Sequence, residues 1–94
     1  MQAKAVIKHV ELKAVADLKG TRQALKNLAR HTRTEPGCIV FEIHEHDDNP
    51  GFFSLWEHFF DQSAFEQHLA QPHTRAFFEE GWAQLVRRQN LRLL

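Results

Sequence analysis

Bulky apolar side chains occupy both faces of the segment from Phe52 to Phe59. Side chains along a β-strand point alternately to opposite sides of the sheet. Phe53 and Leu55 therefore face one side, while Phe52 and Trp56 face the other. A strand that is apolar on both sides is usually covered on both sides. The chain has 94 residues, which is the size of one domain, so this single domain must find cover for two sheet faces.

The spacing of apolar residues elsewhere predicts the order β-α-β-β-α-(α)-β, because alternation indicates strands and steps of three and four residues indicate helices. The predicted strands are residues 3–12, 38–46, 52–59 and 85–94, and the predicted helices lie within residues 18–34, 62–70 and 72–80. Ile39, Phe41 and Ile43 are expected on one face of the second strand. This order is the split βαβ arrangement, an α+β ferredoxin-like fold with a four-stranded antiparallel sheet and helices on one side.

The helices of such a fold cover one face of the sheet and leave the other face bare. The bare face would expose Phe52 and Trp56, a patch too apolar for a monomer in water. Two copies packed sheet against sheet would bury this patch. The sequence therefore predicts a homodimer that associates through the helix-free face.

Composition narrows the classes of function. Twelve basic and twelve acidic side chains cancel, so we expect neither nucleic acid nor a membrane as a partner. The chain has no Gly-rich phosphate loop and lacks the βαβαβ halves that bind dinucleotides, so we expect no cofactor. Cys38 is the one cysteine and cannot form an intrachain disulfide, which favours the cytoplasm. Residues 1–94 are interpreted as a single domain.

A linked set of motifs resembles the antibiotic biosynthesis monooxygenase (ABM) domain family. The motifs are Glu35-Pro36-Gly37-Cys38-Ile39-Val40-Phe41-Glu42, Asp48-Asn49-Pro50, Phe53-Ser54-Leu55-Trp56-Glu57, Asp61-Gln62, Phe65, His68-Leu69, Pro72-His73 and Phe77. The resemblance implies a dimeric α+β barrel of two ferredoxin-like subunits, each with a pocket between sheet and helices. The family includes cofactor-independent monooxygenases of phenolic polyketides, quinol oxidases, haem-degrading enzymes and isomerases of small phosphorylated sugars, so the fold alone does not fix the reaction.

Departures from the family pattern narrow these possibilities. The family often has Glu-x-Trp at the end of the third strand, where this chain has Glu57-His58-Phe59. Haem-degrading relatives use that Trp and a haem-ligating His in the following helix, where this chain has Phe77 and Phe78. Haem degradation is therefore disfavoured. The chain also has no tyrosine, the residue that some monooxygenase members use to position a phenol.

His68 is the strongest candidate for an acid–base residue. It shares a helical stripe with Phe65 and Leu69, which directs its ring toward the sheet, and the family pattern also has a His here. Glu57 lies on the inward face of the third strand. A neutral imidazole in an apolar pocket can take a proton from a phenol or enol near pH 7. We therefore predict His68, His73 and Glu57 as catalytic residues.

The pocket around these residues is predicted to be aromatic. The predicted substrate-binding residues are Phe41, Phe59, Phe77, Phe78 and Trp82. A purely structural alternative is also open: His68 could hydrogen-bond a loop, and Glu57 could pair with an Arg or a Lys.

Two other groups of residues are weaker candidates. His44 and His46 emerge on the same face of a strand, but only two ligands are evident, so we predict no metal site there. Cys38 has no evident His or Asn partner and is not expected to act as a nucleophile.

The chemistry that fits these features and the resemblance is oxygenation or oxidation of a small phenolic or quinol substrate by dioxygen, without a cofactor. Two alternatives remain. One is an isomerase or other proton-transfer enzyme that uses the same residues without oxygen, and the other is a non-catalytic dimer that binds a small aromatic ligand.

Overall fold

The computed structural model describes residues 4–94 and confirms the predicted order of elements. The strands are β1 (Val6–Ala14), β2 (Cys38–Glu45), β3 (Phe52–Phe59) and β4 (Ala83–Leu91), and the helices are α1 (Leu18–Thr32), α2 (Gln62–Ala70) and α3 (Pro72–Glu79). Ala3, the predicted first residue of the first strand, lies outside the described residues.

The four strands form one antiparallel sheet in the order β2-β3-β1-β4. The last strand begins two residues earlier than predicted because Ala83 pairs with Ala14, and it ends at Leu91, opposite Ile7. One face of the sheet packs against the helices, since Leu12 and Leu55 of the sheet share a core with Leu28 of α1. The predicted α+β ferredoxin-like fold is confirmed.

The helix ends follow from local chemistry. Asp17 and Asp61 precede α1 and α2, and each side chain accepts a hydrogen bond from the backbone N–H three residues later. Pro72 opens α3, where its missing N–H has no cost, and Gly81 follows α3 with a φ of +70°. None of the helices in residues 4–94 is long and apolar enough to cross a membrane.

One expectation about β2 is wrong. Phe41 and Ile43 pack in or against the core as predicted, but Ile39 is 54% exposed. The pairing of β2 with β3 shifts register between Cys38 and Val40, so a β-bulge removes Ile39 from the alternation. Alternation in the sequence cannot reveal an extra residue of this kind.

The loop between α1 and β2 lies directly against α2. Gly37 makes this approach possible, because a Cβ atom at that position would overlap the Cβ of Ala64. The backbone carbonyl of Gly37 also accepts a hydrogen bond of 2.9 Å from the N–H of Phe60, which fixes the loop to the end of β3. Glu35, two residues earlier in the loop, is thereby held beside helix α2.

The helix-free face of the sheet carries polar and aromatic side chains together. Trp56 of β3 lies opposite His9 of β1, and the two rings stack with their centroids 4.1 Å apart and their planes within 8°. Trp56 remains partly exposed. By register, Phe52, His58 and His44 also belong to this face. With His9 and Trp56, five aromatic or imidazole rings of the described strands lie on this side of the sheet.

Candidate functional site

A buried carboxylate with two imidazoles stands at the centre of the candidate site. Oε2 of Glu35 lies 3.0 Å from Nδ1 of His68 and 2.6 Å from Nε2 of His73. The side chains are 7%, 5% and 17% exposed, respectively, so water screens these contacts poorly. The hydroxyl of Thr74 lies 3.4 Å from the same nitrogen of His68.

Three separate elements position these groups. His68 lies near the end of α2, and Pro72 then starts a new helix that carries His73 in its first turn. Glu35 comes from the α1–β2 loop, which Gly37 holds against α2. Glu35 was not predicted as a site residue. Its sequence signal was the Glu-Pro-Gly motif, which on its own predicts only a turn.

His68 also lines a cavity of about 180 Å³ between the sheet and helices α2 and α3. The walls are mostly apolar, and the lining residues are Lys8, Val10, Leu12, Leu55, Glu57, Phe65, His68, Leu69, Phe78, Leu85 and Arg88. We call this space the inner cavity. Leu69, Phe78 and Leu85 are about half exposed and mark its opening to solvent. A pocket between sheet and helices is the location that the family resemblance implied.

The carboxyl group of Glu57 lines the inner cavity without a hydrogen-bonding or salt-bridge partner among residues 4–94. Burial raises the pKa of Glu57 to about 7, an effect that the charge of Lys8 opposes and the charge of Glu35 reinforces. Lys8 itself donates a hydrogen bond to Asn90 and lies over the ring of Phe65. The alternative in which Glu57 pairs with an Arg or a Lys is therefore not present among residues 4–94 of the structure.

His68 is in a different electrostatic state. Burial lowers its pKa, the hydrogen bond and charge of Glu35 oppose this shift, and the charge of His73 adds to it. Burial therefore favours the neutral form of the ring. Because a carboxylate only accepts hydrogen bonds, the hydrogen of the neutral ring is assigned to Nδ1, which leaves Nε2 as an acceptor. The loop hydrogen bond considered as the structural alternative for His68 is thus present, and it leaves Nε2 of the ring available to accept a hydrogen bond.

The predicted site residues divide between two places. Glu57, His68 and Phe78 line the inner cavity, and the rings of Phe41 and Phe59 pack against His68 with centroids 5.5 and 4.8 Å from its own. The remaining predicted residues, His73, Phe77 and Trp82, line a second cavity of about 440 Å³ between α1 and α3. We call this second space the outer groove.

Among the described residues, the carboxylate and the two imidazoles are also grouped closely enough to bind a metal ion. Their potential ligand atoms lie within 4.8 Å of one another. In tetrahedral zinc sites, ligand atoms about 2.1 Å from the metal lie roughly 3.4 Å apart. The contacts of Glu35 with His68 and His73 are shorter, at 3.0 and 2.6 Å. We therefore assign them as hydrogen bonds. His44 instead contacts the carboxylate of Glu42, and His46 the hydroxyl of Ser54.

Cys38 lies near this cluster without belonging to it. Burial raises the pKa of the Cys38 thiol, and the charge of Glu35 raises it further. The thiolate is therefore scarce at neutral pH, which disfavours Cys38 as a nucleophile.

The fold and the inner cavity together define a class: small ferredoxin-like domains with a ligand-sized pocket between sheet and helices. The sequence model of the family described as antibiotic biosynthesis monooxygenase (ABM) matches residues 6–80. The chain belongs to this family. A search of curated protein sequences finds no significant match.

Solved structures repeat the fold over nearly the whole chain. A protein from Bacteroides thetaiotaomicron is 21% identical with a TM-score of 0.86, covering 97% of this chain and 90% of its own. One from Deinococcus radiodurans is 28% identical with a TM-score of 0.80, covering 94% and 91%. Both are named provisionally as antibiotic biosynthesis monooxygenases. The protein PA3566 from Pseudomonas aeruginosa is 21% identical with a TM-score of 0.84, covering 100% and 99%.

Proposed function

We propose that this protein is a cofactor-independent oxygenase or oxidase of a small phenol or hydroquinone, and that the substrate binds in the inner cavity. The observation that carries the proposal is the His68 ring, held through Nδ1 by Glu35, in an apolar cavity that also holds the unpaired carboxyl group of Glu57. An apolar cavity with a few polar groups is typical of small-molecule sites.

The proposed reaction begins with proton transfer from the phenol hydroxyl to Nε2 of His68. The resulting phenolate is far easier to oxidise than the phenol, and it reduces dioxygen directly. When the ring carbon opposite the hydroxyl carries hydrogen, a C–O bond forms there, and the hydroperoxide then breaks its O–O and C–H bonds to release water and leave a quinone. A hydroquinone instead gives up two electrons and two protons, so that dioxygen becomes hydrogen peroxide.

Glu57 has a separate role in this scheme. Its pKa of about 7 leaves a large fraction of the carboxyl group protonated at neutral pH, so it can donate a hydrogen bond to the phenolate oxygen. We expect this contact to orient the ring and to stabilise the charge that the loss of the proton creates. The apolar wall excludes water from the reduced oxygen species.

The size of the inner cavity points to a single-ring substrate. An engineered cavity of about 150 Å³ lined by aliphatic and aromatic residues holds benzene. The inner cavity is similar, at about 180 Å³. A fused three-ring or four-ring phenol would not fit without opening the gap between α3 and β4, so single-ring hydroquinones and catechols are the first compounds to test.

We further propose that the protein works as a homodimer that associates through the helix-free face. The family is generally dimeric, and the stacked rings of His9 and Trp56 lie on this face with Trp56 partly exposed. The inner cavity lies on the opposite side of the sheet. The partner would therefore stabilise the sheet without closing the substrate entrance.

Oxygen consumption with a panel of hydroquinones and phenols tests the proposed function. Replacing His68 with Ala should lower turnover by about 10²–10⁴-fold, the usual effect of losing a general base. His44→Ala is the matched control, because His44 lies on the helix-free face, on the other side of the sheet from the inner cavity, and sedimentation of this variant checks that the dimer is kept. Full activity in His68→Ala together with lost activity in His44→Ala would place the site at the β2–β3 hairpin and refute the proposal.

A proton-transfer enzyme that does not use oxygen is the second candidate. The observation that favours it is that His68 and Glu57, one neutral base and one weak acid, line the same cavity. Such an enzyme would exchange substrate hydrogen with deuterium from D₂O under argon. Oxygen consumption without anaerobic exchange supports the oxygenase, and the opposite result supports the proton-transfer enzyme.

A further inference from the structure

One oxygen atom of Glu35 serves two imidazoles that face different spaces. Oε2 accepts from His68, which lines the inner cavity, and from His73, which lines the outer groove. The rings of the two histidines are 6.4 Å apart between centroids. The carboxylate is thus the link between the cavity where substrate would bind and a groove that is open to water.

A single carboxylate can balance one imidazolium in this setting. Two imidazolium rings at 6.4 Å around one negative charge would leave an unbalanced positive charge in a poorly hydrated site. Of the two rings, His73 is the better placed to carry such a charge, because its side chain is the more exposed and its contact with Glu35 is the shorter. His68 then stays neutral, as a base must.

We propose that Glu35 and His73 act as a proton-exchange pair for His68: each proton that His68 accepts in the inner cavity is matched by one that His73 releases into the outer groove. Before the step, His73 is an imidazolium and His68 is neutral. Afterwards His68 is the imidazolium and His73 is neutral, with its remaining hydrogen still donated to Glu35. The cluster keeps the same net charge throughout, so His68 accepts a proton without accumulating charge in the buried site.

In this proposal Glu35 and His73 are positioning residues that act through His68, and their role in catalysis rests on the proposed function. The electrostatic coupling of His68 with His73 is independent of the proposed function, because it does not require a substrate. The other titratable or charged groups that face the cluster and the adjoining cavities are His31, Cys38, Glu57, Lys8, Arg88 and Glu80. These groups are present in the wild type and in each variant of the test, so they do not affect the comparison.

The test is an NMR titration of the His68 ring in the protein without substrate, with its signals assigned from a His68→Gln spectrum. The comparison variant is His73→Gln, which keeps a hydrogen-bond donor for Glu35 but cannot carry charge. A unit charge 6.4 Å away, in an effective dielectric constant of about 20, displaces a titration by roughly one to two pH units. His68 should therefore protonate at a pH higher by that amount in His73→Gln. His44→Gln, which changes an imidazole on the opposite side of the sheet, should leave the titration of His68 in place.

Two outcomes would overturn the proposal. One is a His68 titration that is the same in His73→Gln as in the wild type. The other is a wild type in which both rings protonate together in one step, a measurement that needs no variant and therefore stands even if His73→Gln fails to fold. In an active enzyme, the acidic limb of the pH–rate profile should move upward in His73→Gln by the same one to two pH units. If no substrate is turned over, the proposed function fails and the titration still decides the coupling.

Discussion

Replacing Glu57 with Gln should remove a pH dependence of stability that the wild type has. Glu57 is 7% exposed, and its pKa rises from 4.5 to about 7 on folding because the carboxylate loses its hydration. Between these values the folded protein holds a proton that the unfolded chain releases. The free energy of unfolding must therefore fall as the pH rises from 4.5 to 7, and level off above that range.

The size of the effect follows from the same shift. A displacement of about 2.5 pH units, at about 1.4 kcal/mol per unit, corresponds to about 3 kcal/mol between pH 4.5 and pH 8. The amide of Gln has nearly the same volume as the carboxyl group and does not titrate. Between pH 4.5 and pH 8 the free energy of unfolding of the variant should therefore rise by about 3 kcal/mol relative to that of the wild type, whatever the stability of the variant at pH 4.5.

Urea unfolding, followed by tryptophan fluorescence at one protein concentration, measures this difference. Other groups titrate in the same range, His68 among them, but they are common to both proteins and cancel in the comparison. Glu79→Gln is the control, since Glu79 is exposed at the end of α3 and its removal should leave the pH dependence unchanged. Parallel curves for the wild type and Glu57→Gln would show that Glu57 is not in a desolvated site.

Three further predictions concern the rest of the molecule. Trp56→Glu should yield monomers or insoluble protein in sedimentation experiments, because it would bury an unpaired charge in the proposed interface, and a stable dimer would contradict this. Gly37→Ala should lower stability by about 1–3 kcal/mol in urea unfolding, because its Cβ would overlap that of Ala64, and unchanged stability would mean that the loop can move away freely. Protein purified without an affinity tag should contain no stoichiometric metal by elemental analysis, and one equivalent lost on mutating His44 and His46 would reverse that expectation.

The sequence was sufficient to predict the elements, the antiparallel fold and the inward orientation of His68 and Glu57. The elements and the two inward orientations depend on a period of two or 3.6 residues within one segment, and the antiparallel fold follows from the order of the elements. Glu35 could not be found in this way, because it meets His68 across 33 residues of chain and through a loop whose path depends on Gly37. Its motif indicated a turn and gave no sign of which helix that turn approaches.

The sequence also could not predict which aromatic residues line the inner cavity and which line the outer groove. Phe77 and Phe78 are neighbours, but adjacent residues on a helix point in directions about 100° apart. Phe78 therefore opens onto the inner cavity, while Phe77 and Trp82 line the outer groove. Only the angle at which α3 crosses the sheet decides between these two places, and that angle is a property of the packed domain.

The two β-bulges of the sheet lie in its two edge strands. The register of β2 shifts at Ile39 and that of β4 at Val86, whereas the central pairing of β1 with β3 is uninterrupted. Bulges of this kind twist an edge and interrupt the ladder of free N–H and C=O groups that another strand would need. Growth of the sheet by edge-to-edge addition is therefore obstructed on both sides, which is consistent with the proposed association through the helix-free face. In the proposed homodimer such stacking closes after two molecules, which would protect a concentrated protein against fibre formation.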